Sequence, residues 1–126
     1  MAANFEAELN RQDNVLRTRF SGVVTAAHMA EALAQFEGLL PQLGPGFAIL
    51  TDLSGLESME LECAPPLARI MELSKARGVS MVVRVIPDTH KDIGLKILSI
   101  IHYGRGVRIV TLKTLAEGEQ TLASFK

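Results

Sequence analysis

Residues 47–56, FAILTDLSGL, indicate the layout of the whole chain. The first four form a short apolar run, which is typical of a strand in a parallel sheet because both faces of such a strand are covered. Asp52 stands at the C-terminal end of this run, and Leu53, Ser54 and Gly55 lead into a loop. The stretch therefore predicts a buried parallel strand that ends in an acidic residue.

Helical patterns lie on both sides of this strand. Before it, Thr25 is a good N-cap for a helix that reaches Leu40 and places apolar side chains on one face. After it, Pro65 and Pro66 fit the first turn of a second helix, because a missing backbone N–H costs little there. Residues 53–63 between them show no clear pattern.

The rest of the chain continues the alternation. Residues 79–86 are rich in β-branched side chains and predict a strand, residues 88–103 predict a helix, and residues 107–112 predict the last strand. Thr114 and Glu117 then form a capping box that opens a final helix. The side chains of Leu115 and Leu122 are expected to point inward from it.

Two alternating segments, residues 5–9 and 15–20, begin the chain and predict a β-hairpin across a polar break. The order is therefore β-β-α-β-α-β-α-β-α. Successive β-α units imply a parallel sheet, and the hairpin adds an antiparallel edge. We predict a single α/β domain over residues 1–126, with a mixed, mostly parallel sheet.

Composition excludes several classes of protein. The 126 residues fit one domain of the common size of about 100–150 residues. Thirteen basic and fourteen acidic side chains leave a net charge of -1, so neither nucleic acid nor an anionic membrane surface is an expected partner. The apolar runs are far shorter than the ~20 residues of a membrane helix, so no membrane insertion is expected. With one cysteine no internal disulfide can form, which favours a cytoplasmic location.

The sequence shows no arrangement suited to catalysis or metal binding. Cys63 would need a histidine base beside it, but His28, His90 and His102 lie on other predicted elements. The histidines lack metal-ligand spacing, and no glycine-rich loop joins a strand to a helix. We therefore expect no enzyme activity, no metal and no cofactor, and we expect Cys63 to be a small core residue.

Three segments carry a resemblance to a known family. Residues 47–56 with their Asp-Leu-Ser exit, residues 76–79 (ARGV) and residues 107–110 (VRIV) resemble the STAS domain, the domain of sulfate transporters and anti-sigma factor antagonists. The predicted element order is similar over nearly the whole chain. The resemblance implies the STAS fold and a non-catalytic, regulatory protein-binding role.

One departure from the family affects regulation. Family antagonists place an Asp-Ser pair shortly after the aspartate that Asp52 resembles, and a partner kinase phosphorylates that serine. The corresponding positions here are Glu60 and Leu61. Leucine has no hydroxyl group, so the resemblance supports the fold more than it supports a phosphorylation switch.

The loop that begins at Asp52 is the candidate partner-binding site. Its candidate residues are Asp52, Ser54, Ser58, Glu60 and Glu62. A phosphate on either serine would gain from a helix N-terminus but would be repelled by the nearby glutamates. The glutamates themselves have two interpretations. They form a recognition surface for a basic partner, or they are solvated side chains that favour the helix start.

The predicted helix over residues 88–103 has an unusually wide apolar face. Its apolar arc is about twice as wide as a surface helix needs. The residues of this face are Ile93, Leu95, Ile97, Leu98 and Ile101, with His102 at its rim. Three explanations stay open: cover within the chain, a homodimer or other protein interface, and a pocket for a small apolar ligand or lipid. The last would make the protein a carrier, as in a related lipid-exchange fold.

Overall fold

The structure is a computed structural model that describes residues 4–86, Tyr103 and residues 106–125. The strands are β1 (Phe5–Asn10), β2 (Val15–Phe20), β3 (Gly22–Val24), β4 (Ala48–Asp52), β5 (Leu56–Met59), β6 (Met81–Val85) and β7 (Arg108–Leu112). The helices are α1 (Ala26–Leu39), α2 (Ala64–Ala76) and α3 (Leu115–Phe125), and short 3-10 turns span Leu40–Gln42 and Leu61–Cys63.

A five-stranded sheet in the order β1-β2-β4-β6-β7 forms the centre of the fold. β1 and β2 pair antiparallel, and every other neighbouring pair in this sheet is parallel. Within the hairpin Phe5 lies opposite Phe20, and their ring centroids are 4.9 Å apart. The predicted mixed α/β fold, with a mostly parallel sheet and an N-terminal hairpin, is confirmed.

A second, two-stranded sheet was not predicted. β3 pairs with β5 in parallel, and a register shift follows Gly22, whose φ of 67° lets the chain turn directly after β2. Gly22 N donates to Gly55 O over 2.9 Å, and Glu60 N donates to Val24 O over 3.0 Å. Strands of three and four residues are too short to leave a periodic signal in the sequence.

Helices cover both faces of the five-stranded sheet. On one face α1 and α2 contribute Met29, Phe36 and Ile70 to the larger core cluster. On the other face α3 packs Leu122 against the strands, where Val83 is fully buried. The sheet therefore has one face under two helices and the opposite face partly under α3.

The orientation of α3 corrects one prediction. Leu122 is buried as expected, but Leu115 is 42% exposed, so the prediction that both point inward was wrong for Leu115. Leu115 is the first residue of the helix and lies at a surface groove beside the hairpin. The close contact is made by Gly118 instead, where an added Cβ would lie 3.0 Å from Val85 and 3.1 Å from Leu50.

The predicted N-cap of α1 is confirmed, and we expect it to be a measurable source of stability. Thr25 Oγ1 accepts a hydrogen bond from His28 N over 3.2 Å, and His28 Nδ1 accepts one from Thr25 N over 3.0 Å. Thr25→Ala should lower the free energy of unfolding by about 1 kcal/mol, measured by urea denaturation, and Thr25→Ser should retain most of it. Equal stability of the alanine and wild-type proteins would contradict this role.

An ion pair joins α3 to the hairpin and should make stability depend on pH. Two hydrogen bonds of 2.8 Å connect Arg17 to Glu119, and they hold the pKa of Glu119 below its usual value of 4.5. A carboxylate with a lowered pKa stabilises the fold above its unfolded pKa, and this contribution is lost as the pH falls toward the folded value. Because both side chains are partly exposed, we expect only about 0.5–1 kcal/mol at neutral pH.

The test compares urea denaturation of the wild type and Glu119→Gln across acidic and neutral pH. The stability difference between the two proteins should be largest near neutral pH, and should shrink below the usual glutamate range. A difference that stays constant with pH would show that the charge of Glu119 contributes nothing.

Candidate partner-binding loop

Asp52 connects the central sheet to the loop that follows it, residues 53–63, which we call the exit loop. Its carboxylate is largely buried; Oδ1 accepts hydrogen bonds from Ser54 N over 2.9 Å and from Ser54 Oγ over 2.6 Å. Its Oδ2 lies 3.7 Å from Arg19 Nε. An aspartate that binds the backbone two residues ahead stabilises a turn, so Asp52 positions the start of the exit loop.

Backbone hydrogen bonds hold both ends of the exit loop. Leu53 N donates to Val85 O over 2.9 Å, and Leu56 N donates to Leu53 O over 3.1 Å. Near the other end Cys63 N donates to Glu60 O over 3.0 Å. Together with the β3–β5 pairing, these bonds give the loop a defined shape.

Glu60 has a role that the sequence did not indicate. Its Oε1 accepts a hydrogen bond over 3.0 Å from the backbone N–H of Ala26, the first residue of α1. The first N–H groups of a helix lack partners within it, and a carboxylate there also faces the positive end of the helix dipole. Glu60 thus stabilises the start of α1, whereas the sequence associated the glutamates with the helix that follows them.

The other predicted site residues lie on the surface of the exit loop. Ser54, Ser58 and Glu62 are exposed, and Leu61, at the position of the family serine, is 89% exposed. In the part of the chain that the structure describes, none of the ion pairs involves a glutamate of this loop. The exposure of Leu61 was not predicted from the sequence.

Cys63 is a buried thiol, as predicted. Its side chain is 1% exposed, and Sγ lies 3.5 Å from Val24 O, to which it donates. Burial raises the pKa of Cys63 and outweighs a backbone hydrogen bond at Glu60 that lowers it, and the charges of Glu60 and Glu62 raise it further. The thiol is therefore held in its protonated form, which is a poor nucleophile.

A small cavity lies between the sheet and helices α1 and α2. Its volume is about 50 Å3, and its walls are mostly apolar, with Arg84 and Tyr103 among the lining residues. Burial raises the pKa of Tyr103 to about 12, and its hydroxyl is hydrogen-bonded to Ser74. Small-molecule sites usually measure about 300–1,000 Å3, so this cavity is smaller than a carrier needs.

The wide apolar face predicted for Ile93, Leu95, Ile97, Leu98, Ile101 and His102 lies outside the described residues. The carrier and homodimer hypotheses, which depend on that face, therefore stay predictions. Elsewhere, across residues 4–86 and 106–125, no cluster of three histidine, cysteine or acidic side chains could hold a metal ion. Over the same ranges no helix has the length and apolar character needed to cross a membrane.

Comparisons with known proteins agree on the architecture. An uncharacterized protein with a SpoIIAA-like fold from Shewanella loihica superimposes with a TM-score of 0.70 at 13% identity, covering 94% of this chain and 91% of that one. The fold is SpoIIAA-like. The unphosphorylated form of the anti-sigma factor antagonist SpoIIAA matches with a TM-score of 0.63 at 14% identity, covering 95% of this chain and 97% of that one.

An anti-sigma factor antagonist from Mycobacterium paratuberculosis gives a TM-score of 0.62 at 18% identity, covering 98% of this chain and 97% of that one. No family model and no curated protein matches the sequence. The SpoIIAA-like fold confirms the STAS architecture that the sequence resemblance implied. At these identities the likeness establishes the fold, and the function has to be argued from the exit loop.

Proposed function

We propose that this protein is a non-catalytic regulatory module that acts by binding another protein through its exit loop. The observation that carries the proposal is a loop that is held firmly and exposed at the same time. Asp52 and the β3–β5 pairing fix its backbone, while Ser58, Leu61 and Glu62 face solvent. The anti-sigma factor antagonists that share the fold support a regulatory role.

A firmly held loop is well suited to recognition. Binding through a mobile segment loses part of the interaction energy to ordering, whereas a segment already fixed in shape avoids that loss. Loops on a rigid scaffold are also common positions for binding residues. The exit loop combines both properties, because it connects two elements, β4 and α2, that pack into the core.

Regulation is proposed to differ from that of SpoIIAA, which occurs in unphosphorylated and phosphorylated forms. Leu61 offers no hydroxyl group to a kinase. Ser54 Oγ already donates to Asp52 Oδ1, and a phosphate there would bring a second anion against that carboxylate. We therefore propose that partner binding does not depend on phosphorylation at residue 61 or Ser54.

Photo-crosslinking tests the proposed function. Benzoylphenylalanine is placed at residue 61, with an exposed position at the far end of α2, Lys75, as the matched control. We expect one protein to be crosslinked from residue 61 and not from residue 75. That protein, once purified, should bind the unmodified wild-type chain and change its own activity on binding. Equal crosslinking from both positions, or no binding by the purified protein, would refute the proposal.

Self-association through residues 93–102 is a separate proposal that rests on the sequence pattern alone. Leu95→Glu should convert a wild-type dimer into folded monomers, which light scattering and circular dichroism together detect. A wild-type protein that is monomeric at all concentrations tested would end this proposal.

A further inference from the structure

Two exposed apolar residues lie on neighbouring backbone segments, one in β3 and one in the exit loop. Of the three large apolar residues that are exposed in the described part of the chain, two are Val23, at 48%, and Leu61, at 89%. The hydrogen bond from Glu60 N to Val24 O joins the residues next to them. Val23 also pairs with Ser58 in the β3–β5 register, so the side chains of Val23 and Ser58 share one face of the small sheet.

Two exposed carboxylates flank Ser58 and Leu61 in the sequence of the exit loop. Glu57 and Glu62 are both exposed, and none of the ion pairs within the described residues involves them. Glu60 lies between these two glutamates in the sequence, but its carboxylate already accepts a hydrogen bond from the first residue of α1. We call the set of Val23, Glu57, Ser58, Leu61 and Glu62 the Leu61 surface. It combines two exposed apolar side chains with two exposed carboxylates.

We propose that the Leu61 surface binds a protein segment that carries an apolar side chain flanked by lysine or arginine. The proposal rests on the proposed function and adds the chemistry of the partner. Protein interfaces combine apolar contacts with polar and charged groups, and the exposed residues of this surface are of both kinds. The two exposed carboxylates favour a basic segment through charge complementarity, and they disfavour nucleic acid and anionic lipid.

Three labelled peptides of equal length test this chemistry by fluorescence anisotropy. The first alternates lysine with leucine, the second alternates glutamate with leucine, and the third alternates lysine with serine. We expect the lysine–leucine peptide to bind most tightly, and its affinity to fall about fivefold between low and high salt as the charges are screened. Tightest binding of the glutamate–leucine peptide would overturn the proposal.

Matched variants locate the binding. Leu61→Ser should weaken binding of the lysine–leucine peptide about tenfold, as expected when one leucine is no longer buried. Leu115→Ser, which changes an exposed leucine at the start of α3, should leave binding unchanged. Glu62→Lys should also weaken binding, whereas Glu37→Lys, on the exposed side of α1, should weaken it much less. Equal effects within either pair would overturn the proposal.

Two further outcomes separate this inference from the proposed function. Crosslinking from residue 61 to a partner whose contacting segment is acidic or uncharged would overturn the inference and leave the proposed function intact. A dimer that Leu61→Ser dissolves would show that the occupant is a second copy of the chain, which also overturns it. Because Leu61 is exposed, its variants should unfold at the same urea concentration as the wild type.

Discussion

Phe36→Ala should lower the free energy of unfolding by about 3–5 kcal/mol, because it truncates a large aromatic side chain in the core. Phe36 is 3% exposed and projects from α1 into the larger core cluster, where its ring centroid lies 5.8 Å from that of Phe5. Alanine would remove the contact between the rings of Phe36 and Phe5 and enlarge the small cavity that Phe36 lines. The measurement is urea denaturation monitored by circular dichroism.

Phe36→Leu is the matched control for the shape of the side chain. Leucine retains most of the apolar volume, so its cost should stay below about 1.5 kcal/mol. The midpoint of denaturation should move while the slope stays constant, which shows that the native state is destabilised and not restructured. A cost for Phe36→Ala below that of Phe36→Leu would contradict the assigned packing.

The main sheet could be predicted because each of its strands leaves a local signal. The apolar run before Asp52 and the β-branched residues 79–86 have the composition of covered parallel strands, and both are central in the sheet. In α1 the spacing of the apolar residues predicted one apolar face, and Met29 and Phe36 on that face are buried. The β3–β5 sheet could not be predicted, because its pairing depends on a turn at Gly22 and on contacts with distant residues.

The candidate site was predictable only where its contacts are local. Asp52 and Ser54 are two residues apart, and their hydrogen bonds follow from a common turn. The bond between Glu60 and Ala26 joins residues 34 positions apart and requires the folded arrangement of β3 beside β5. The exposure of Leu61 had one signal in the sequence, namely the glutamates on either side of it, whose charges are costly to bury.

Asp52→Ala should act on stability and binding together. The change removes the acceptor of two hydrogen bonds from Ser54 and the carboxylate beside Arg19. Hydrogen bonds to a charged group contribute about 1.5–3 kcal/mol, and we expect a loss in that range from urea denaturation. Because the exit loop loses the turn that positions it, binding of the lysine–leucine peptide should weaken as well.

Two controls separate the turn from the charge. Asp52→Asn retains an oxygen acceptor for Ser54 but removes the negative charge, so it should preserve more peptide binding than Asp52→Ala. Ser54→Ala removes the hydrogen bond from the hydroxyl and keeps the one from the backbone N–H to Asp52 Oδ1. It should therefore lower the free energy of unfolding less than Asp52→Ala does. If Asp52→Ala destabilises the protein while peptide affinity stays at the wild-type value, the exit loop does not need Asp52 to hold its shape. The Leu61 surface would then depend on the β3–β5 pairing alone, which assigns the positioning of this surface to Gly22 and Val24 in place of the aspartate.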